Sequence, residues 1–326
     1  MSAMFLDMKD LLVVFPRNLC LAFSSLLLVF VMACEEPIQQ EKPYIAPNLQ
    51  PPKVAPIEND YVKRSDELVQ RIYRIYNTRL FYRWDRKVFG NIRAFPPRLE
   101  LVPDYFVFFE GILKYYVRNP YYRIDERRDP KKGLIFLRNN LPISIGFMGK
   151  KVSNEDSGIS SGGFATSNIR IVIAGVNDYD LSDRAWRIDQ TNTFHHELAH
   201  ILDRRHGRPR GYDDISSNSY VTGNGWTSLP LGYARFLGFY RPYGASNVLE
   251  DFATVVEGVS VSSTAQVSRV LDGNQKLTEK YELVLDYYQR FGVDVQAMGE
   301  EFQILNPEQI EGEDEEKDDD VSVAEQ

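Results

Sequence analysis

The sequence predicts an α+β fold in which a mixed sheet packs against one long helix, and three observations lead there. TNTFHHELAHILD combines good helix formers with an apolar side made by Leu198, Ala199, Ile201 and Leu202. ATSNIRIVIAGV, just upstream, alternates β-formers in the manner of a strand. RSDELVQRIYRIYNTRLFYRW and LVPDYFVFFEGILKYYVRN are amphipathic and rich in aromatics, the pattern of helices that cover a core. That order of elements suits α+β.

Taken from the start of the chain, residues 1–33 read as an export signal. Lys9 and Arg17 precede LCLAFSSLLLVFVMA, whose apolar core is too short and wrongly flanked for a membrane span. It ends in VMAC, a lipobox-like sequence that makes Cys34 the lipidated first residue after cleavage. Cys20 lies within the signal, so the mature chain forms no internal disulfide. Residues 34–59 are polar and proline-rich and read as a tether that holds a domain away from a membrane. Residues 60–306 suffice for one hydrophobic core. Within them GLIFLRNNLPISIGFMG reads as a strand and NSYVTGNGWTSLPLGYARFLGFYRPYGAS as a loop lining a cleft. Helices are expected near 247–260 and 275–291. Residues 307–326 form an acidic tail with ten carboxylates and one lysine after Pro307. The tail carries the negative charge of the whole chain, formally −8, so acidity says nothing about what the domain binds. RRHGRPR at 204–210 is a local basic patch of a solvated face, and no nucleic-acid partner is expected.

The chemistry lies in HELAH. On a helix, His196 and His200 stand four apart on one face, one turn from each other, so both imidazoles reach one metal ion. Glu197 then holds and deprotonates the attacking water, the arrangement of zinc hydrolases with two His ligands and a Glu base. Thr191 or Asn192 is positioned to cap the helix. All four histidines of the chain (His195, His196, His200 and His206) fall within twelve positions, which neither solubility nor packing requires. His195 has the wrong phase to share the metal and reads as a cleft-wall or packing residue.

A catalytic zinc ion usually takes three protein ligands and a water. His206 is the first candidate for the third. On a straight helix it would point about 80° off the His196 line, so the helix must turn near Asp203 to bring it back. Glu250, in SNVLEDFATVVEGVS, is the alternative, on a second helix whose start Asn247 and Glu250 fit as a capping box. Asp251 is a candidate to accept a hydrogen bond from a ligand imidazole. Among the loop tyrosines, Tyr220, Tyr233, Tyr240 and Tyr243 are all candidates to stabilise an oxyanion.

HELAHILDRRH has the HExxHxxxxxH spacing of metzincin-type zincins, with Asp203 where their glycine stands and no methionine between His206 and Met298. With the lipobox and the EDFA of Glu250 to Ala253, the chain resembles the zinc-binding metallopeptidase lipoproteins of Bacteroidetes associated with outer-membrane substrate import. The resemblance spans roughly residues 60 to 300. It implies a zincin-like fold, Zn2+ held by His196, His200 and His206, and Glu197 as base. It also implies an extended peptide or protein substrate along a strand edge, and attachment through Cys34 to the outer membrane, beside an import complex. Two rival functions share these features: a zinc amidase acting on a glycan or cell-wall peptide, and a non-catalytic lipoprotein that presents captured nutrients.

Overall fold

The computed structural model describes residues 59–83 and 95–307, apart from 124–125, 128, 130, 154–159 and 168. The expected signal peptide, Cys34, all of the tether but Asn59, and the acidic tail beyond Pro307 lie outside the described residues.

The first helix, α1 (Asp60–Tyr76), starts where Asn59 accepts a hydrogen bond from the Tyr61 amide. It ends at Asn77, a left-handed residue at φ 59° whose N–H returns to the Tyr73 carbonyl. The stop frees RLF, within the first expected helix, to form β1 (Arg79–Phe81). Next, α2 (Val102–Arg118) fills the second expected helix, with Pro103 in its first turn, where no N–H is needed. GLIFLRNNLPISIGFMG is a helix and a strand, not one strand. Its first half is α3 (Lys132–Asn140), and only after Pro142 does β2 (Ser144–Met148) begin. Proline cannot continue a helix, and it was the sign of the boundary.

A short hairpin, β3 (Val152–Ser153) with β4 (Ser160–Ser161), leads to β5 (Gly163–Ser167) and β6 (Arg170–Ala174). The main sheet has the order β1-β2-β6-β5. β1, β2 and β6 run parallel, with Leu80 opposite Ile145 and Ile145 opposite Ile171, while β5 returns antiparallel with Phe164 opposite Val172. ATSNIRIVIAGV thus holds the end of β5 and, as expected, a strand, β6, and the mixed sheet expected from the sequence is present. Alternation along the strands splits the core. Ile145, Phe147, Ile171 and Ile173 join the main helical core, whereas Met148, Val172 and Ala174 form a small cluster with Phe81 and Phe164.

The central helix, α4 (Arg184–His206), begins at Asp183, whose carboxylate accepts from the Ala185 and Trp186 amides. It thus starts two turns before the expected caps, and Thr191 and Asn192 lie inside it. Helices α2 and α4 meet on one face of the sheet, where Phe147 of β2 contacts Tyr105, Phe106 and Phe109, and Phe109 contacts Phe194 edge-on at 5.2 Å. Downstream come α5 (Tyr212–Ile215), α6 (Leu231–Phe236), a 3-10 turn at Pro242–Ser246, and α7 (Val248–Ser260), which lies along α4. α8 (Thr264–Leu271), α9 (Gln275–Arg290) and α10 (Val295–Leu305) complete the described chain. No helix among the described residues is long and apolar enough to cross a membrane.

Candidate metal centre and catalytic cleft

Every residue of α4 from Phe194 to Leu202 is buried, so this stretch of core helix carries polar groups only where something inside needs them. His196 and His200, one turn apart, bring their Nε2 atoms to 3.1 Å. Helix α7 supplies the third group. Asn247 caps it by accepting from the Leu249 and Glu250 amides, which presents Glu250 in the first turn toward α4. Glu250 Oε2 stands 2.9 Å from His196 Nε2 and 3.3 Å from His200 Nε2.

These three atoms form a triangle with the dimensions of a metal site. Tetrahedral zinc bonds of about 2.0–2.1 Å to nitrogen and oxygen place ligand atoms roughly 3.3 Å apart. The observed edges of 2.9, 3.1 and 3.3 Å are close to that, and two imidazoles with one carboxylate are a donor set that zinc accepts. A divalent metal fits these residues.

Glu257 completes the support, and sequence reasoning missed it. Its Oε2 lies 2.9 Å from His196 Nδ1, which donates to it, and its other oxygen takes an ion pair from Arg241. With a metal bound, this carboxylate would hold the His196 tautomer that turns the Nε2 lone pair toward the cluster. The signal was present: Glu250 and Glu257 are seven apart, so on a helix they fall within about 20° of one line. Asp251, the residue expected to do this, points elsewhere, because one step around the helix turns it by 100°. It pairs with Lys280 and accepts from Tyr220. Burial by itself would lower the His196 pKa, but the carboxylates of Glu250 and Glu257 on its two nitrogens raise it to about 10. Burial opposes ionisation of Glu250 too, and the two histidines outweigh it and lower its pKa.

His206 is not brought to this cluster. Asp203 stays helical, where a glycine would have eased a turn, and it accepts an ion pair from Arg208. The chain breaks only at Gly207, at φ 73°, whose N–H caps onto the Asp203 carbonyl. Ten residues of uninterrupted helix separate His206 from His196 by about 15 Å along the axis. His206 Nε2 instead meets Asn140 Oδ1 at 2.7 Å, and its ring lies against Phe291. His195 is a packing residue. It is fully buried between Tyr116 and Phe194, with Nδ1 2.7 Å from the Tyr116 hydroxyl, and burial lowers its pKa to about 3.

A cleft of about 260 Å³ opens beside the cluster, lined by His196 and Glu197 together with Asn192, Trp226, Arg241 and Tyr243. Glu197 Oε2 is buried without a hydrogen-bond partner. Burial raises its pKa, the facing histidines counter this in part, and Glu250 adds to the rise. The result is a carboxylate more basic than an ordinary one. At Gly163, the start of β5, an added Cβ would come within 2.7 Å of Thr193 and 3.2 Å of the Glu197 side chain, so this edge strand lies directly on the helix at Glu197. Of the four candidate tyrosines only Tyr243 lines the cleft, its ring stacked on His196 at 5.8 Å. Tyr220 is bound to Asp251, Tyr233 is exposed beside Phe236, and Tyr240 packs over Gly258. Burial and the nearby Glu250 raise the Tyr243 pKa, so its hydroxyl keeps its proton.

The model of a family described as "Putative zinc-binding metallo-peptidase" matches residues 63–296. A crystal structure of a protein from Bacteroides caccae with that same description, at 2.10 Å resolution, has a similar fold. Its TM-score is 0.55 over 77% of this chain and 95% of that one, at 21% identity, a likeness that speaks for the fold. No curated protein matches.

Proposed function

The chain belongs to this zinc-binding metallo-peptidase family, and from that premise we propose that it hydrolyses peptide bonds with Zn2+ held by His196, His200 and Glu250 and with Glu197 as general base. The observation that carries the proposal is the triangle of donor atoms together with a buried carboxylate oxygen, Glu197 Oε2, that has no hydrogen-bond partner and lies one residue from the first histidine. Bound zinc would polarise the scissile carbonyl and make water acidic enough to deprotonate near neutral pH. Glu197 takes the proton of the attacking water and returns it to the leaving amine, a task for which its raised pKa suits it. Glu257 holds the His196 ring in place through Nδ1. Tyr243 offers a hydroxyl that stays protonated, a donor for the developing oxyanion. The β5 edge accepts an extended peptide by added backbone hydrogen bonds. The location at the cell envelope, through a lipidated Cys34 and next to an import complex, rests on residues 1–59 of the sequence alone. Labelling with radioactive palmitate, lost in Cys34→Ala, tests it.

A second reading, hydrolysis of an amide on a glycan or cell-wall peptide, draws support from the cleft wall. There Trp226 shares the lining with the polar Asp189, Asn192 and Lys151, a combination that suits a sugar ring. The experiment is zinc content and cleavage of a mixed peptide library by the purified domain, beside Glu197→Gln. Stoichiometric zinc in both, with cleavage only by the parent, is the expected result. Full zinc-dependent cleavage by Glu197→Gln would refute the mechanism, and zinc without cleavage of any peptide would favour the glycan-linked amide.

A further inference from the structure

The least expected group in this fold is a lysine with no exposed surface. Lys280, on α9, has its Nζ 2.6 Å from Asp251 Oδ2 and 2.6 Å from the Gly238 carbonyl, with the Phe239 ring 4.7 Å away. Asp251 is equally buried. Its carboxylate also accepts from Tyr220 at 2.9 Å and faces the Tyr212 hydroxyl at 3.5 Å. Four separate stretches of chain (α5, the segment at Tyr220, the segment at Gly238 and Phe239, and α9) thus converge on one buried ion pair. None of these groups touches the cleft, and the proposed hydrolysis uses none of them.

Their position gives them a consequence. Asp251 is the residue after Glu250, in the first turn of α7, and its side chain leaves the helix about 100° around from the Glu250 side chain. Glu250 is aimed at the histidines by the rotation of that turn about its axis, and the Asn247 cap fixes only the backbone start. A buried charge with fixed partners has few alternative positions, because moving it out of register leaves it unpaired in a dry interior. Apolar packing alone would tolerate small rotations; an ion pair with two further donors would not.

We propose that the buried Lys280–Asp251 pair is a positioning device for the metal centre: it locks the rotation of the first turn of α7 and so holds Glu250 Oε2 against His196 and His200. The inference rests on Glu250 being a metal ligand. Lys280 and Asp251 are positioning residues, acting through Glu250.

The test uses three variants of the full chain: Lys280→Met, the pair Lys280→Met with Asp251→Asn, and Glu250→Gln. The double variant removes both charges, a change that buried ion pairs often tolerate, and keeps an acceptor for Tyr220. For each, zinc affinity is measured by competition with a chelator, the visible spectrum of the Co2+-loaded protein reports coordination, and amide hydrogen exchange in the metal-free protein reports the first turn of α7. The expected result is a folded double variant with zinc affinity about tenfold or more lower, the lower end of the range for groups that orient a ligand. A changed cobalt spectrum and faster exchange from Glu250 to Ala253 should accompany it. If Lys280→Met alone does not fold, the double variant carries the reading. A double variant with parental affinity and spectrum, while Glu250→Gln binds zinc weakly, overturns the positioning role and leaves the ligand assignment standing. Parental affinity in Glu250→Gln overturns the ligand assignment itself, and the inference with it. Failure of both Lys280 variants to fold also overturns it, since the pair would then hold the domain and not one turn.

Discussion

His206→Ala should leave metal binding intact and cost a little stability, whereas Glu250→Gln should damage the centre. In the structure His206 makes a hydrogen bond, 2.7 Å from Nε2 to Asn140 Oδ1, and a ring contact, 4.9 Å to Phe291. A hydrogen bond of this kind contributes about 1 kcal/mol net and the ring contact about 0.5. For a domain of this size each kcal/mol corresponds to about 2–4 °C, so the melting temperature should fall by roughly 3–6 °C. Glu250→Gln keeps the shape but removes the charge from one of three donor atoms. Groups that only orient a ligand change metal affinity by about 10–100-fold, so loss of a ligand itself should reach roughly 100-fold or more. Chelator competition measures the affinities, and thermal melting of the metal-free proteins measures stability. Loss of zinc from His206→Ala to the same degree as from Glu250→Gln would refute this argument, because it would require α4 to break at Asp203 in solution.

Three further outcomes follow from the same geometry. Glu257→Gln should weaken zinc binding by about 10–100-fold while the fold persists, since the His196 tautomer loses its anionic acceptor; unchanged affinity by chelator competition would remove Glu257 from the site. Gly163→Ala places a methyl against Thr193 and Glu197 and should lower kcat with zinc content unchanged; steady-state kinetics beside metal analysis checks this, and a variant with parental kcat would mean that β5 yields. His195 is neutral when folded down to about pH 3 but titrates at its usual 6.5 when unfolded, so the unfolded chain binds one more proton between those values. Its share of stability is therefore lost as pH falls below about 6.5, and His195→Gln should melt with a shallower pH slope over that window. An unchanged slope would place the acid sensitivity elsewhere.

What the sequence determined by itself was local. The HExxH spacing puts two imidazoles and a carboxylate on one helical turn wherever that helix sits, so the grouping of His196, Glu197 and His200 was legible without a fold. The cap at Asn247, and the extents of α2, α7 and α9, followed from periodicity and end signals in the same way. The errors arose where two local rules competed. RLF sat in a helical pattern but became a strand after Asn77, and Asp203 stood where the chain needed a glycine to turn. The partners from outside α4 were decided only by tertiary structure. That Glu250 and Glu257 face the histidines while Asp251 faces Lys280 depends on how α7 is rotated where it lies along α4. Rotation about a helix axis is set by the packing of both helices and by buried charges that must find partners, and no spacing within a single segment encodes it.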